Sequence, residues 1–141
     1  MATFPLAALL RLRRLREDQA AASVGRARSR ASQLAAQRGR LIDTLSDRGS
    51  DTTDIRGIAA MAAARASAAV MLSDLEGLRQ AQERAVDEAE GEHRTARREA
   101  AVVQKLEDRH GEQERARELS AEQAALDELA GRPAPGDGGT A

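Results

Sequence analysis

Apolar and small residues recur at alternating steps of three and four along the first third of this chain. They are Ala20, Val24, Ala27, Ala31, Leu34, Leu41 and Leu45, with Arg38 in one slot of the series. An average spacing of 3.5 residues is the heptad period of a coiled coil. The pattern predicts a helix over residues 6–46, and Pro5 suits its first turn because that position needs no N–H donor.

A second stretch of heptad spacing predicts a longer helix over residues 55–130. Its expected core positions are Ile55, Ile58, Ala62, Ala69, Leu72, Leu75, Val86, Ala89, Ala96, Ala100, Val103 and Leu106. Leu119, Leu126 and Leu129 follow in a shifted phase. Because a helix rises about 1.5 Å per residue, the two helices differ in length by almost a factor of two.

Turn-forming residues separate and end these helices. The segment DRGSDTTD, residues 47–54, concentrates Gly, Ser, Thr and Asp, which favour turns and helix caps. Thr53 or Asp54 is the expected N-cap of the second helix. The Gly- and Pro-rich residues 131–141 predict a disordered tail. One hairpin domain, residues 1–130, is therefore expected.

Composition excludes a globular core. The chain of 141 residues is 41% hydrophobic but only 1% aromatic, and Phe4 is its one aromatic ring apart from the two histidines. A close-packed globular interior needs bulky side chains at high density. The expected fold is therefore all-α, a long two-helix antiparallel coiled-coil hairpin with unequal arms. No apolar run approaches the roughly 20 residues that a membrane-spanning helix requires.

Charge is distributed in a way that favours folding back. Residues 1–46 hold nine arginines and three acids, whereas residues 86–130 hold seven basic and thirteen acidic residues. The first arm is thus +6 and the last arm −6. Exposed ion pairs contribute only a few tenths of a kcal/mol each, so this asymmetry selects the antiparallel orientation more than it stabilises it.

Enzyme and metal chemistry find no support in the pattern. There is no Gly-rich phosphate loop, no cysteine, and no assembled Ser/His/Asp constellation. Glu90 and His93 have the spacing found in bundle di-metal sites, but those sites need the motif on several helices. The expectation is a protein without catalytic residues, metal or cofactor, in which Glu90 and His93 belong to a solvated face.

Two basic clusters leave other binding classes open. RLRRLR at 11–16 and RARSR at 26–30 could contact the phosphates of a nucleic acid. The leucines within the first cluster, the balanced net charge and the absence of stacking aromatics argue against that function. A membrane-surface helix over residues 6–16 and an organelle transit peptide are further alternatives. Docking onto a partner helix is the preferred interpretation.

The two ends of the chain resemble a known family. FPLAALLRLRRLREDQA at 4–20 and KLEDRHGEQERARELSAEQAALDELA at 105–130 are similar to the opening and ending of FliJ proteins of the flagellar type III export apparatus. The resemblance implies a cytoplasmic, non-enzymatic stalk, peripheral at the flagellar base. It implies that the termini bind the export ATPase FliI (with FliH), that the turn-proximal half binds the export gate protein FlhA, and that export chaperones are also bound.

The resemblance also carries over candidate contact residues. LID at 41–43 gives a register in which the gate-binding positions are Gln37, Leu41, Thr44 and Arg48 on the first arm, and Met71, Leu75, Leu78 and Gln82 on the second. Thr44, Arg48, Met71 and Gln82 depart from the aromatic or histidine residues of some members. Plain packing between the helices is the alternative for Leu41, Leu75 and Leu78.

For the ATPase-binding end the candidates are Leu9, Leu12, Arg13, Arg16, Leu126 and Leu129, because they combine surplus apolar area with charge near both termini. The leucines could instead form a clasp between the termini or a dimer contact. At the level of function, a generic structural coiled coil, including the homologous stalk of a virulence secretion system, is the main alternative to a flagellar export stalk.

Overall fold

The computed structural model describes residues 3–47 and 54–132, and within them the chain forms two helices. Helix α1 is Ala7–Asp47 and helix α2 is Ile55–Ala130. The two pack antiparallel along the length of α1, and the described residues contain no strand. The predicted all-α hairpin is confirmed. Most of the turn predicted at 47–54 and most of the tail predicted at 131–141 lie outside the described residues.

The described helix ends follow from local backbone bonding. Asp54 is the N-cap of α2, with an extended backbone at φ −106° and ψ 147°, and its side chain makes no capping hydrogen bond. The N–H of Ile58 donates to the carbonyl oxygen of Asp54 at 2.9 Å. At the other end the N–H of Gly131 donates to Asp127 O at 2.9 Å. The sequence predicted either Thr53 or Asp54 as the N-cap of the second helix, and the N-cap is Asp54.

The hairpin has a narrow core made largely of small residues. The buried residues among those described are Leu10, Val24 and Ala27 of α1 and Ala68, Ala100 and Val103 of α2. Half-buried positions extend this line at heptad steps, which defines an inner seam between the helices. Since stabilisation scales with the apolar area removed from water, a seam rich in alanine spreads its stabilisation over the whole length of α1.

Contacts between side chains on the two helices fix the antiparallel register. Gln82 Nε2 donates to the backbone carbonyl oxygen of Ala27 at 2.9 Å. Arg28 forms an ion pair with Glu90 at 2.5 Å. Nearer the termini, Arg13 pairs with Glu99, and the rings of Phe4 and His110 lie 5.6 Å apart.

The ion pairs run in the direction that the charge asymmetry predicts. In both inter-helix pairs, Arg13–Glu99 and Arg28–Glu90, α1 supplies the arginine and α2 the carboxylate. All four side chains keep substantial contact with water, so each pair contributes little to the free energy of unfolding. Their effect is to favour this alignment of the arms over others.

In the first part of α2 the predicted core positions are wrong, because the heptad register that faces α1 is shifted by one residue. Ile55, Ile58, Ala62 and Ala69 are exposed, Ile55 to 83%, and Leu106 is also exposed. The residues that face α1 are instead Gly57, Met61, Ala64 and Ala68. This part of α2 is apolar on every side, so α1 can cover only one face. Spacing alone does not tell which face that is. From Leu72 to Val103 the predicted positions do face α1.

The unequal helix lengths leave one end of α2 without a partner. Phe4, just before α1, lies against His110, so residues 111–130 extend past the start of α1. At about 1.5 Å per residue this overhang is roughly 30 Å long. From residue 115 to residue 130 every side chain is exposed.

One stretch of α2 is more apolar than the sequence pattern indicated. An 18-residue window within α2 has a mean hydropathy of 1.4, and only 6% of it is buried. By length and composition alone such a helix could cross a membrane, although the cores of soluble proteins pass the same test. The notable observation here is the combination of high hydropathy with low burial.

The inner seam predicts which leucine near the start of α1 supports the hairpin. Leu10 is 3% exposed and Leu12 is 44% exposed. Leu10→Ala should lower the free energy of unfolding by about 2 kcal/mol or more, since it empties a packed position. Leu12→Ala should change it by less than about 0.5 kcal/mol. Urea denaturation followed by circular dichroism measures both, and equal losses would contradict the seam assignment.

Candidate partner-binding surfaces

At the start of α1, the ATPase-binding candidates divide by their contacts with α2. Leu9 is half-buried, whereas Leu12 and Arg16 point into solvent. Arg13 is half-buried because it reaches across to Glu99, and its Nε has no hydrogen-bond partner among the described atoms. Leu12 and Arg16 are therefore available to a partner protein, while Arg13 already has a role within the hairpin.

Leu126 and Leu129 form a separate surface on the overhang. Both are about two-thirds exposed, and they lie more than four helical turns beyond His110, the residue level with the start of α1. The structure therefore does not bring them together with Leu9 and Leu12. A hydrophobic clasp between the two termini, one alternative from the sequence, is absent from the described residues.

Three of the gate-binding candidates lie in or beside the inner seam. Leu41 and Leu75 are half-buried between the helices. Gln82 is also half-buried, and its amide is engaged by the Ala27 carbonyl oxygen. A partner could reach these three side chains only at their edges, and their main contacts are within the hairpin.

The remaining described gate-binding candidates face solvent. Gln37, Thr44, Met71 and Leu78 are exposed. The Thr44 hydroxyl donates to the carbonyl oxygen of Arg40, one turn back on its own helix, at 2.8 Å. Arg48 lies outside the described residues. Met71 and Leu78 are the large apolar members of this group, so they offer the most area to a partner.

Sequence reasoning missed the larger apolar surface near the turn. Ile55, Ile58 and Val70 are each more than half exposed, and Ile42 of α1 is also exposed. The first two had been expected in the core. A search for two heptad series in the same segment, instead of one, could have found this surface, because an isolated pair of helices leaves the second series uncovered.

A charged cluster interrupts the seam between the two ends. Arg79 bonds to Glu76 and Glu83 on its own helix, and Arg38 of α1 lies close by. The hydrogen bonds from Arg79 lower the pKa of Glu76 to about 2. Further along, the bond from Arg28 lowers the pKa of Glu90. The two ion pairs make the middle of the rod polar, and the lowered pKa values mean that these carboxylates bind protons only at more acidic pH than an unpaired glutamate does.

Grooves along the hairpin offer little to a small ligand or a metal ion. The groove beside Gly25, of about 490 Å³, is open to solvent and has Arg28, Glu90, His93 and Arg94 in its walls. Within residues 3–47 and 54–132 there is no cluster of three metal-ligating side chains. The chemistry on offer is that of two elongated surfaces, one apolar near the turn and one amphipathic on the overhang.

Comparison with known proteins agrees with this geometry. A family model described as "Flagellar FliJ protein" matches residues 1–135. The chain belongs to the FliJ family. Neither a curated protein nor a solved structure matches it. FliJ membership makes the protein a component of the flagellar export apparatus. The FliJ family is a family of cytoplasmic export components that are structural and not enzymatic.

Proposed function

We propose that this FliJ protein is the coiled-coil stalk that connects the flagellar export ATPase to the export gate. Its terminal end binds the ring of FliI (with FliH), and its turn-proximal half binds FlhA. Through these contacts it assists the delivery of export substrates and chaperones at the flagellar base, and it meets the membrane only through partners. The observation that carries this proposal is the unequal hairpin, a rod with different uncovered surfaces at its two ends.

The overhang supports the ATPase contact. Residues 111–130 continue as a single helix about 10–12 Å across, the slimmest part of the rod, and we propose that this part enters the central channel of the ring. Leu126 and Leu129 give this helix an apolar side, and Leu12 and Arg16 follow where α1 thickens the rod. A partner ring would thus contact the single helix of the overhang first, and then the two-helix part of the rod where α1 begins.

The turn-proximal half supports a gate contact of the helix-in-groove kind. Met71 and Leu78 project outward seven residues apart, which places them on one side of α2. Leu75 lies between them in sequence but packs against α1. Anchors at such spacing are what an apolar groove recognises on a helix.

Nucleic-acid binding is less well supported. In the cluster at 11–16, Arg13 is paired with Glu99, and Arg14 donates to Gln104 of α2. Arg28 of the second cluster is paired with Glu90. Bound in this way, these arginines have fewer free donors for phosphates. Binding to DNA that weakens steeply with added salt would instead favour this alternative.

The ATPase contact is tested by the hydrolysis rate of purified FliI with and without this chain. We expect the wild-type chain to stimulate the rate, and Leu12→Asp and Leu126→Asp to abolish the stimulation with helical content unchanged. A charge placed in an apolar contact loses both the burial and the fit. Leu78→Asp, at the opposite end, is the matched control and should stimulate normally.

Two results would count against this assignment. If Leu12→Asp melts the hairpin in circular dichroism, then Leu12 is a packing residue and not a contact residue. If the folded wild-type chain leaves the FliI rate unchanged, the stalk function itself is wrong.

The gate contact is tested by titrating the cytosolic domain of FlhA with labelled hairpin. Met71→Asp and Leu78→Asp should each weaken binding about tenfold or more, about 1.4 kcal/mol, without changing the unfolding midpoint. Leu126→Asp should bind as the wild type does. Leu75→Asp should lower the unfolding midpoint, because this side chain is part of the inner seam. Equal binding by all four variants would place the gate contact elsewhere on the chain.

A further inference from the structure

The turn-proximal part of α2 carries a second heptad series on the side that faces away from α1. We call it the outer stripe: Ile55, Ala59, Ala62, Ala66, Ala69 and Ser73. Every one of these residues is exposed, and the exposed Ile58 and Val70 flank them. The inner-seam residues Gly57, Met61, Ala64 and Ala68 lie between them in sequence, so the two series occupy opposite faces of the helix.

When a helix is apolar on two opposite faces, a two-helix hairpin buries only one of those faces. The window of high hydropathy in α2 is only 6% buried, which is low for a stretch of this composition. Helices that are apolar all round are normally buried by more than one neighbour. The small alanines of the outer stripe would let a further helix approach closely.

The overhang of α2 has the complementary series. Its members, the overhang stripe, are Ala116, Leu119, Gln123, Leu126 and Ala130, again at alternating steps of three and four. All five are exposed. Here the large residues stand where the outer stripe has alanine, and alanine stands where the outer stripe has Ile55. Leucines that project into gaps between alanines give interdigitated packing.

We propose that the outer stripe of one copy packs antiparallel against the overhang stripe of a second copy, forming a dimer. A single register pairs a large residue with a small one in three layers: Ile55 with Ala130, Ala59 with Leu126, and Ala66 with Leu119. Ala62 then faces Gln123, and Ala69 faces Ala116. The outer stripe and the overhang stripe of one chain cannot pack against each other, because about 80 Å of continuous helix separates residue 66 from residue 119.

Charge fits the same register. Residues 55–73 contain two charged side chains, Arg56 and Arg65, and residues 112–130 contain six acids and two arginines. In the antiparallel pair the flanking positions bring Arg56 beside Asp127 and Arg65 beside Glu122, and they bring Ile58 beside Leu129. Charges at flanking positions set partner and orientation in coiled coils. A parallel pair of outer stripes would instead bring arginine against arginine.

Symmetry follows from the position of the two stripes. They lie at opposite ends of α2, and we place a two-fold axis between the two α2 helices, so that each copy gives its outer stripe to one contact and its overhang stripe to the other. The interface is closed and does not propagate into a filament. The dimer does not depend on the proposed stalk function. If that function holds, Leu126 serves both contacts, and the dimer and the ATPase ring exclude each other.

Two introduced cysteines test the register, because the natural chain has none. Ala62→Cys with Gln123→Cys should form a covalent dimer under mild oxidation, seen on a non-reducing gel. Each single variant should remain monomeric on the gel. Efficient cross-linking by Ala62→Cys alone would overturn the antiparallel register, since it requires outer stripe against outer stripe.

Sedimentation of the full chain tests the contact itself. The wild type should dimerise as its concentration rises, and added salt should weaken the dimer. Ala66→Glu should abolish it, whereas Ala81→Glu, at an exposed alanine of α2 outside both stripes, should not. Arg65→Glu should weaken the dimer, and Arg65→Glu combined with Glu122→Arg should restore it.

Three outcomes would overturn the proposal. The first is a wild-type chain that stays monomeric at every concentration. The second is a dimer that Ala66→Glu leaves intact. The third is a monomer that floats with vesicles containing anionic lipid, which would assign the outer stripe to a membrane surface. None of these measurements contains FliI, so the proposed stalk function stands or fails by its own assay.

Discussion

The antiparallel contact between a short helix and one almost twice its length determines everything else about this molecule. Helix α1 supplies one narrow stripe of leucine, valine and alanine, and α2 meets it with alanine and valine at heptad spacing. Since each layer buries little area, no single residue dominates, and the register is held by a few polar contacts such as Gln82 to Ala27. The result is a rod whose two ends differ.

What α1 fails to cover is as important as what it covers. Because α1 is short, α2 is exposed from residue 115 onward. Because α1 is a single helix, it covers one face of residues 55–73 and leaves the outer face exposed. Exposed apolar area of this extent on a small chain usually marks a surface that meets a partner. The proposed contacts with the ATPase, the gate and a second copy all use area that the inner seam leaves uncovered.

The fold was predictable because its signals are local and repeated. Heptad spacing, a single cluster of turn residues and the absence of bulky side chains each point to a helical hairpin, and charge adds the antiparallel sense. The position of the inner seam in residues 55–69 was not predictable, because that segment is apolar all round and satisfies two registers equally well. Which register α1 adopts depends on where the turn places the second helix.

The candidate binding residues were likewise predictable only in part. The exposure of Leu12, Leu78 and Leu126 requires the structure, because spacing alone assigns them equally well to the seam.

The pairing of the unequal arms is tested most directly by distances between spin labels on introduced cysteines. Labels at residues 19 and 95 should lie about 20 Å apart, since the helix axes are separated by roughly 10 Å and the labels add length. Labels at residues 19 and 123 should lie roughly 40 Å apart, because 28 residues of α2 separate residue 123 from residue 95, which is level with residue 19. Broad or long distances for the first pair, or two short distances, would contradict the unequal antiparallel hairpin.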